Sequence, residues 1–257
     1  MLSYSVQGEG NAIVLLHGFC ESKEIWTHFV PTLSKSNKVI CIDLPGFGES
    51  INHKITTIEA MADSVHETLA SIYISNFVLV GHSLGGYVSL AYAEKYGHHL
   101  KGLCMFHSTA YADSDEKKAN RTKTAKFVQD NGVNAFIIPF VPPLFYPQNR
   151  KSCEKSIQLL TSIGCNTPIE SIVNATIAMR DRKDRTDVIK NASYPVLYIV
   201  GKNDGAIKME DSVSQCHLAP ISQVIFLSDT AHQGLFEKEK ETLLALENFM
   251  SFCYKIK

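Results

Sequence analysis

Two rhythms of apolar and polar residues alternate along the chain. Short continuous apolar runs recur at 12–16, 38–43, 76–80, 103–106, 195–200 and 223–227. Runs of that length, rich in Val, Ile and Leu, predict strands buried on both faces. Residues 2–6 instead alternate apolar and polar before Gly8-Glu9-Gly10, the pattern of a half-buried strand. Between these runs the period lengthens. Ile58, Met61, Ala62, Val65, Leu69 and Ile72 form one helical stripe, with Thr56 and Glu59 in capping-box spacing before it. Leu84, Tyr87, Val88, Ala91 and Tyr92 form a second stripe, and Leu243, Leu246, Phe249 and Met250 a third. Residues 208–216 predict one more helix. Strands alternating with helices imply an α/β fold, a mostly parallel, doubly wound sheet covered on both faces.

From Ser108 onward the texture changes. Asp113 and Glu116 have capping-box spacing, and a charged helix is expected to run to a stop at Asn131-Gly132. Pro139, Pro142, Pro143 and Pro147 crowd the apolar stretch 136–147, which argues against a regular helix or a central strand there. Thr167-Pro168-Ile169-Glu170 reads as a helix start, with a cap, Pro at the first position and Glu at the third. Residues 110–189 are therefore expected to form a helical cap or lid, inserted into a core built from 1–109 and 190–257.

The stretch around which this organisation turns is Gly81-His82-Ser83-Leu84-Gly85-Gly86. An apolar strand leads into it and a helical stripe leaves it, so Ser83 sits on a tight strand-to-helix turn. Side chains at 81 and 85 would collide with the neighbouring strand and helix, which is why a turn of this kind needs glycine there. Ligands of open parallel sheets bind at the carboxyl ends of the strands. His17-Gly18-Phe19, Ser83, Asp204 and His232 all fall at such ends. Their chemical types are those of a nucleophile, a base, an orienting acid and a backbone anion site. His107, which also ends a strand, is the rival base. His17 is expected to brace its loop, His82 lies inside the turn, and His98 and His99 read as solvated. Asp229 and Asp211 are the alternatives to Asp204.

With L-L-H-G-F, D-L-P-G-F-G-E-S, G-H-S-L-G-G, P-V-L-Y-I-V-G-K-N-D and A-H-Q-G-L-F-E, the chain resembles the α/β-hydrolase family over nearly its whole length. The order Ser, Asp, His is the family's as well. The resemblance implies Ser83 as nucleophile, His232 as base, Asp204 as the acid that orients it, and an oxyanion hole from the backbone N–H groups of Phe19 and Leu84. It also implies a serine hydrolase rather than the dehalogenases and epoxide hydrolases of this fold, which carry aspartate at the nucleophile position. Two features depart from the family pattern. Ala231 precedes the His where Gly is frequent, and Glu237-Lys238-Glu239 replaces a Glu-x-Pro. Only one strand precedes the strand of the oxyanion loop, so the family's leading hairpin is shortened and an eight-strand sheet is not expected.

Composition narrows the field further. A net charge of −1 offers no electrostatic footprint for nucleic acid, and no apolar run approaches the roughly 20 residues of a membrane span. The first residues show no basic and apolar leader. Seven scattered cysteines without a C-x-x-C read as reduced core thiols of a cytoplasmic protein, with Cys20 beside the oxyanion loop. No metal cluster or phosphate loop appears, so no cofactor is expected. Phe136, Phe140, Leu144 and Phe145 of the insertion, with His107, are the candidate substrate pocket. The insertion shows no basic cluster, which argues against a strongly anionic substrate. The function expected is hydrolysis of small, apolar-chain carboxylic esters or lactones through an acyl-enzyme on Ser83, by a monomer or homodimer. Two other readings remain open on this basis: a ligand receptor that keeps the triad but turns over slowly, and a cofactor-free lyase.

Overall fold

The computed structural model describes residues 1–255. Seven strands form one sheet: β1 (Tyr4–Gln7), β2 (Asn11–Leu16), β3 (Asn37–Ile42), β4 (Phe77–His82), β5 (Leu100–Phe106), β6 (Val196–Gly201) and β7 (Ser222–Leu227). Their order is β1-β3-β2-β4-β5-β6-β7. β1 runs antiparallel to β3, and every other pairing is parallel. Side chains alternate between the two faces of a strand. Every residue of β4 and β6 is buried, so both faces of the sheet centre are covered. The edge strands β1 and β7 are mostly exposed or half-buried. The helices Ile58–Ser71 and Leu84–Tyr96 pack on each other. The last helix, Glu239–Cys253, sets Phe249 and Cys253 against Gly102 of β5, where a Cβ would collide with both.

The strand assignments hold within two residues at each end, except that β5 begins at Leu100, three residues before the expected 103. The caps do not hold. Thr57, not Thr56, caps the first long helix, accepting from Ala60 N–H at 3.1 Å. Ser114, not Asp113, caps Asp115–Asn131, accepting from Lys117 N–H at 3.3 Å. In both places two capping-type residues are adjacent, and the backbone selects the second. Asp113 is instead buried between two arginines. Pro168 itself takes the N-cap position of Ile169–Arg180, and the Thr167 hydroxyl donates back to the Ile163 carbonyl at 3.1 Å.

Residues 133–140 form a helix, contrary to the expectation drawn from the prolines. Pro139 lies in its last turn, where it removes one hydrogen bond only, and Val141 N–H still reaches the Ile137 carbonyl at 3.1 Å. Beyond it the chain turns through short 3-10 segments at Pro142–Leu144 and Pro147–Asn149. All the regular structure between 110 and 189 is helical: Asp115–Asn131, Val133–Phe140, Glu154–Cys165, Ile169–Arg180 and Thr186–Lys190, besides those 3-10 turns. The first and fourth of these pack together. Arg185 N–H donates to the Ala110 carbonyl at 2.8 Å, which draws the two ends of this segment together. The Arg185 guanidinium pairs with Glu59 at 2.7 Å and Glu94 at 3.1 Å on the two core helices.

All seven cysteines are free; Cys165 and Cys216 are half-buried rather than core. Among the described residues no helix is long and apolar enough to cross a membrane.

Candidate active site

The turn after β4 is held by close backbone approaches. A Cβ at position 85 would lie 2.7 Å from the carbonyl oxygens of both Leu16 and His17, and one at 81 would run into the Gly85 carbonyl. Ser83 itself takes φ +51° and ψ −112°, a conformation that costs a non-glycine residue on the order of 1–3 kcal/mol. Ser83 N–H donates to the Phe106 carbonyl at 2.9 Å, and the Ser108 hydroxyl donates to the Ser83 carbonyl at 2.8 Å. The strained backbone is thus fixed by its neighbour strand, and the side chain faces a cavity.

Three distant segments meet at that side chain. Ser83 Oγ is 2.8 Å from His232 Nε2. His232 Nδ1 is 2.8 Å from Asp204 Oδ2. The second carboxylate oxygen of Asp204 accepts from the N–H groups of Ala206 at 2.8 Å and Ile207 at 3.0 Å. Burial alone would raise the Asp204 carboxyl, but the charge of His232 and a contact with His107 hold it far below the usual carboxylate range. Burial alone would lower His232. Asp204 more than offsets it, so this imidazole is more basic than an ordinary histidine.

His107, expected as a rival base or a pocket residue, is neither. It is 2 % exposed, does not line the cavity, and lies behind the acid, with Nδ1 3.4 Å from Asp204 Oδ2. Gly201 and Gly234 N–H groups point at its two ring nitrogens, each at 3.2 Å. Burial outweighs the opposing pull of Asp204, keeps the ring neutral and lowers its pKa to about 4. Asp211 pairs with Lys117 on the surface and Asp229 offers its backbone carbonyl to Asn149, so neither stands beside His232. His17 is buried and accepts from Leu44 N–H at 2.9 Å, bracing its loop against the one that follows β3. His98 is exposed and His99 half-buried.

The N–H groups of Phe19 and Leu84 find no protein acceptor among the described residues. Leu84 N–H belongs to the first turn of its helix, where no intrahelical partner exists. Glu21, which the sequence reading passed over, ties this region together. Its carboxylate accepts from Gly18 N–H at 2.6 Å and from the Gln233 side chain at 2.9 Å, and pairs with His82 Nδ1 at 2.9 Å. His82 Nε2 in turn donates to the His232 carbonyl at 3.0 Å. Burial would raise the Glu21 carboxyl, yet His82 and Gln233 hold it at about 2. Glu237, in the segment that departs from the family pattern, clamps the base loop. It accepts from Ala231 N–H at 2.9 Å, Tyr146 N–H at 2.8 Å and Asn149 at 2.9 Å.

The cavity over Ser83 measures about 220 Å3. Phe19, Phe136 and Phe140 form an aromatic wall, with ring centroids 4.9–6.3 Å apart. Leu144, Ile207 and Met179 add apolar surface, and Arg121, Thr124 and Thr176 polar surface. Phe145 does not line it: the ring is fully buried and stacks on Phe236. Cys20 is buried too, and burial pushes its thiol well up, away from reactivity. A second hollow of about 350 Å3, near Ala93, Asp187 and Tyr194, holds none of these groups. Among the described residues no three His, Cys, Asp or Glu side chains are arranged to hold a metal ion.

A family model described as the alpha/beta hydrolase fold matches residues 11–133. The chain is 26% identical over 238 residues to Lipase 3 of Moraxella sp., covering 91% of this chain and 75% of that protein. It is 24% identical over 243 residues to the pimeloyl-[acyl-carrier protein] methyl ester esterase of Vibrio cholerae, covering 90% and 91%. A thermophilic esterase from Thermogutta terrifontis matches its fold with a TM-score of 0.92 at 28% identity, covering 98% of this chain and 93% of that one.

Proposed function

We propose, on the premise of its alpha/beta hydrolase fold, that the chain is a serine hydrolase of small carboxylic esters. The observation that carries this reading is the continuous hydrogen-bonded path from Ser83 through His232 to Asp204. Its esterase and lipase relatives support hydrolysis as the reaction.

The proposed steps follow from the geometry. A serine hydroxyl is a poor nucleophile until a base takes its proton. With its proton on Nδ1 and donated to Asp204, His232 leaves Nε2 free to accept from Ser83. Oγ then adds to the ester carbonyl. The negative charge that develops on the carbonyl oxygen meets the unpaired N–H groups of Phe19 and Leu84, each worth about 10²–10³ in rate. His232 next passes its proton to the leaving alkoxide, and the acyl group remains on Ser83. Water, deprotonated by the same imidazole, frees the acid. The helical segment 110–189 acts as a cap, since it supplies Arg121, Thr124, Phe136, Phe140, Leu144, Thr176 and Met179 to the cavity. A volume of about 220 Å3 suits short acyl chains.

A panel of short-chain methyl and nitrophenyl esters tests the reading. Turnover is expected, with a stable mass increment on Ser83 when the acyl-enzyme is trapped by a slow ester. Ser83→Ala should lower kcat by about 10⁶-fold. Tight ligand binding with negligible turnover by the wild-type protein would support the receptor instead.

A further inference from the structure

One feature of the cavity runs against its apolar walls. Arg121, on the helix Asp115–Asn131, lines it with its side chain one quarter exposed. Its Nε pairs with Asp113, and Nη1 reaches only the weak acceptor Met179 Sδ at 3.4 Å. The same Asp113 carboxylate also faces the guanidinium of Arg182, at 2.7 Å. Two cations therefore share one anion, and the group carries one net positive charge. Arg182 is buried, lies 4.0 Å from the centre of the Tyr87 ring, and donates to the Met179 carbonyl at 2.7 Å. The excess charge thus reaches the cavity only through Arg121. Thr124, one helical turn further on, lines the same wall and makes no side-chain hydrogen bond among the described residues. The other charged lining groups cannot answer this cation. Glu21 is committed to Gly18, Gln233 and His82, and His232 is committed to Asp204.

From this we infer that the acyl part of the substrate ends in a carboxylate seated on Arg121, so that the preferred ester is a half-ester of a small dicarboxylic acid. The inference rests on the hydrolase reading for the reaction, but the anion site rests on Arg121 alone. A planar guanidinium with free donors matches a carboxylate, and such charge-assisted pairs are among the stronger hydrogen bonds. The aromatic wall would cover the methylene chain between the two ends. The basic residues of the insertion do not mark out an anion site by their spacing in sequence. The fold gathers Arg121 and Arg182 around a single acid, and that runs against the expectation that the substrate is not strongly anionic.

Monomethyl glutarate and dimethyl glutarate differ in this one charge. The wild-type protein should hydrolyse the half-ester with a kcat/KM at least tenfold above that of the diester, measured by methanol release. In Arg121→Gln the ratio of the two kcat/KM values should fall about ten- to hundredfold, mainly through KM of the half-ester. Arg121→Lys, which keeps the charge and guards against a folding artefact, should retain an intermediate ratio. A wild-type protein that prefers the diester, or a ratio unmoved by Arg121→Gln, would overturn the inference. If no ester is turned over and Ser83 is never acylated, the hydrolase reading fails by itself. Calorimetric titration of glutarate into Ser83→Ala then decides the anion site. Binding that is lost when Arg121→Gln is added supports it, and no binding overturns it.

Discussion

His232 has to be neutral before it can take a proton from Ser83, so its basicity sets the pH at which the proposed reaction starts. Asp204 raises that basicity above the ordinary imidazole value. The acid limb of kcat/KM should therefore lie at a higher pH than a free histidine would give, with rate lost as pH falls through it. His107 does not contribute a second limb in this range, because burial keeps it neutral down to about pH 4. Asp204→Asn should lower kcat by about 10⁴-fold with the fold intact, and move the acid limb to lower pH, because the anion that favours the imidazolium is gone. A pH–rate profile with an unmoved limb would place the orienting acid elsewhere. At this scale the residues at strand ends could be read from the sequence by chemical type and position. The roles of His107 and Glu21 could not. A histidine between two backbone N–H groups and an acid among three loops differ from their surface counterparts only by their neighbours.

Among elements, the turn from β4 into Leu84–Tyr96 is the one whose local sequence most narrowly dictates its form. Glycine at 81 and 85 is required because the helix start lies against the ends of β2 and β4. Gly85→Ala would place a methyl carbon 2.7 Å from two carbonyl oxygens of the neighbouring strand end, none of which belongs to a flexible side chain. Denaturant unfolding should show a loss of about 1–3 kcal/mol or more, and the activity of the folded fraction should fall as Ser83 shifts against His232. A fully stable and active variant would mean that the turn has slack. Elsewhere the element boundaries were less readable. Thr56 and Thr57, or Asp113 and Ser114, are equivalent on paper, and only the approach of the chain to its helix chooses between them. Pro139 is tolerated because its helix ends one residue later.

On the scale of the whole molecule, Glu21 joins three loops that belong to different strands: the loop after β2 through Gly18, the nucleophile turn through His82, and the base loop through Gln233. His82 carries the tie on to the backbone of His232, whose N–H is also held by the Leu144 carbonyl at 2.9 Å. The site is thus braced from the sheet below and from the helical segment above. Withdrawing a carboxylate from buried hydrogen-bond donors costs about 1–3 kcal/mol. Glu21→Gln should show that loss in thermal unfolding, together with a fall in kcat larger than any rise in KM, since misplaced loops are felt most in the transition state. Unchanged stability and kcat would make Glu21 dispensable.

The sequence by itself determined the strands, the core helices, the helical character of 110–189 and the serine on its glycine-flanked turn. Each of these is written in residues a few positions apart, as an apolar period or a backbone demand. Tertiary structure alone decided the meeting of positions 83, 204 and 232, the choice of Phe136 and Phe140 over Phe145 as cavity wall, and the sharing of Asp113 by two arginines. Those contacts follow from strand order and from the return path of the helical segment. The physical reason is that burial and charge pairing act through space between residues far apart in the chain, and no local pattern encodes which of them will meet.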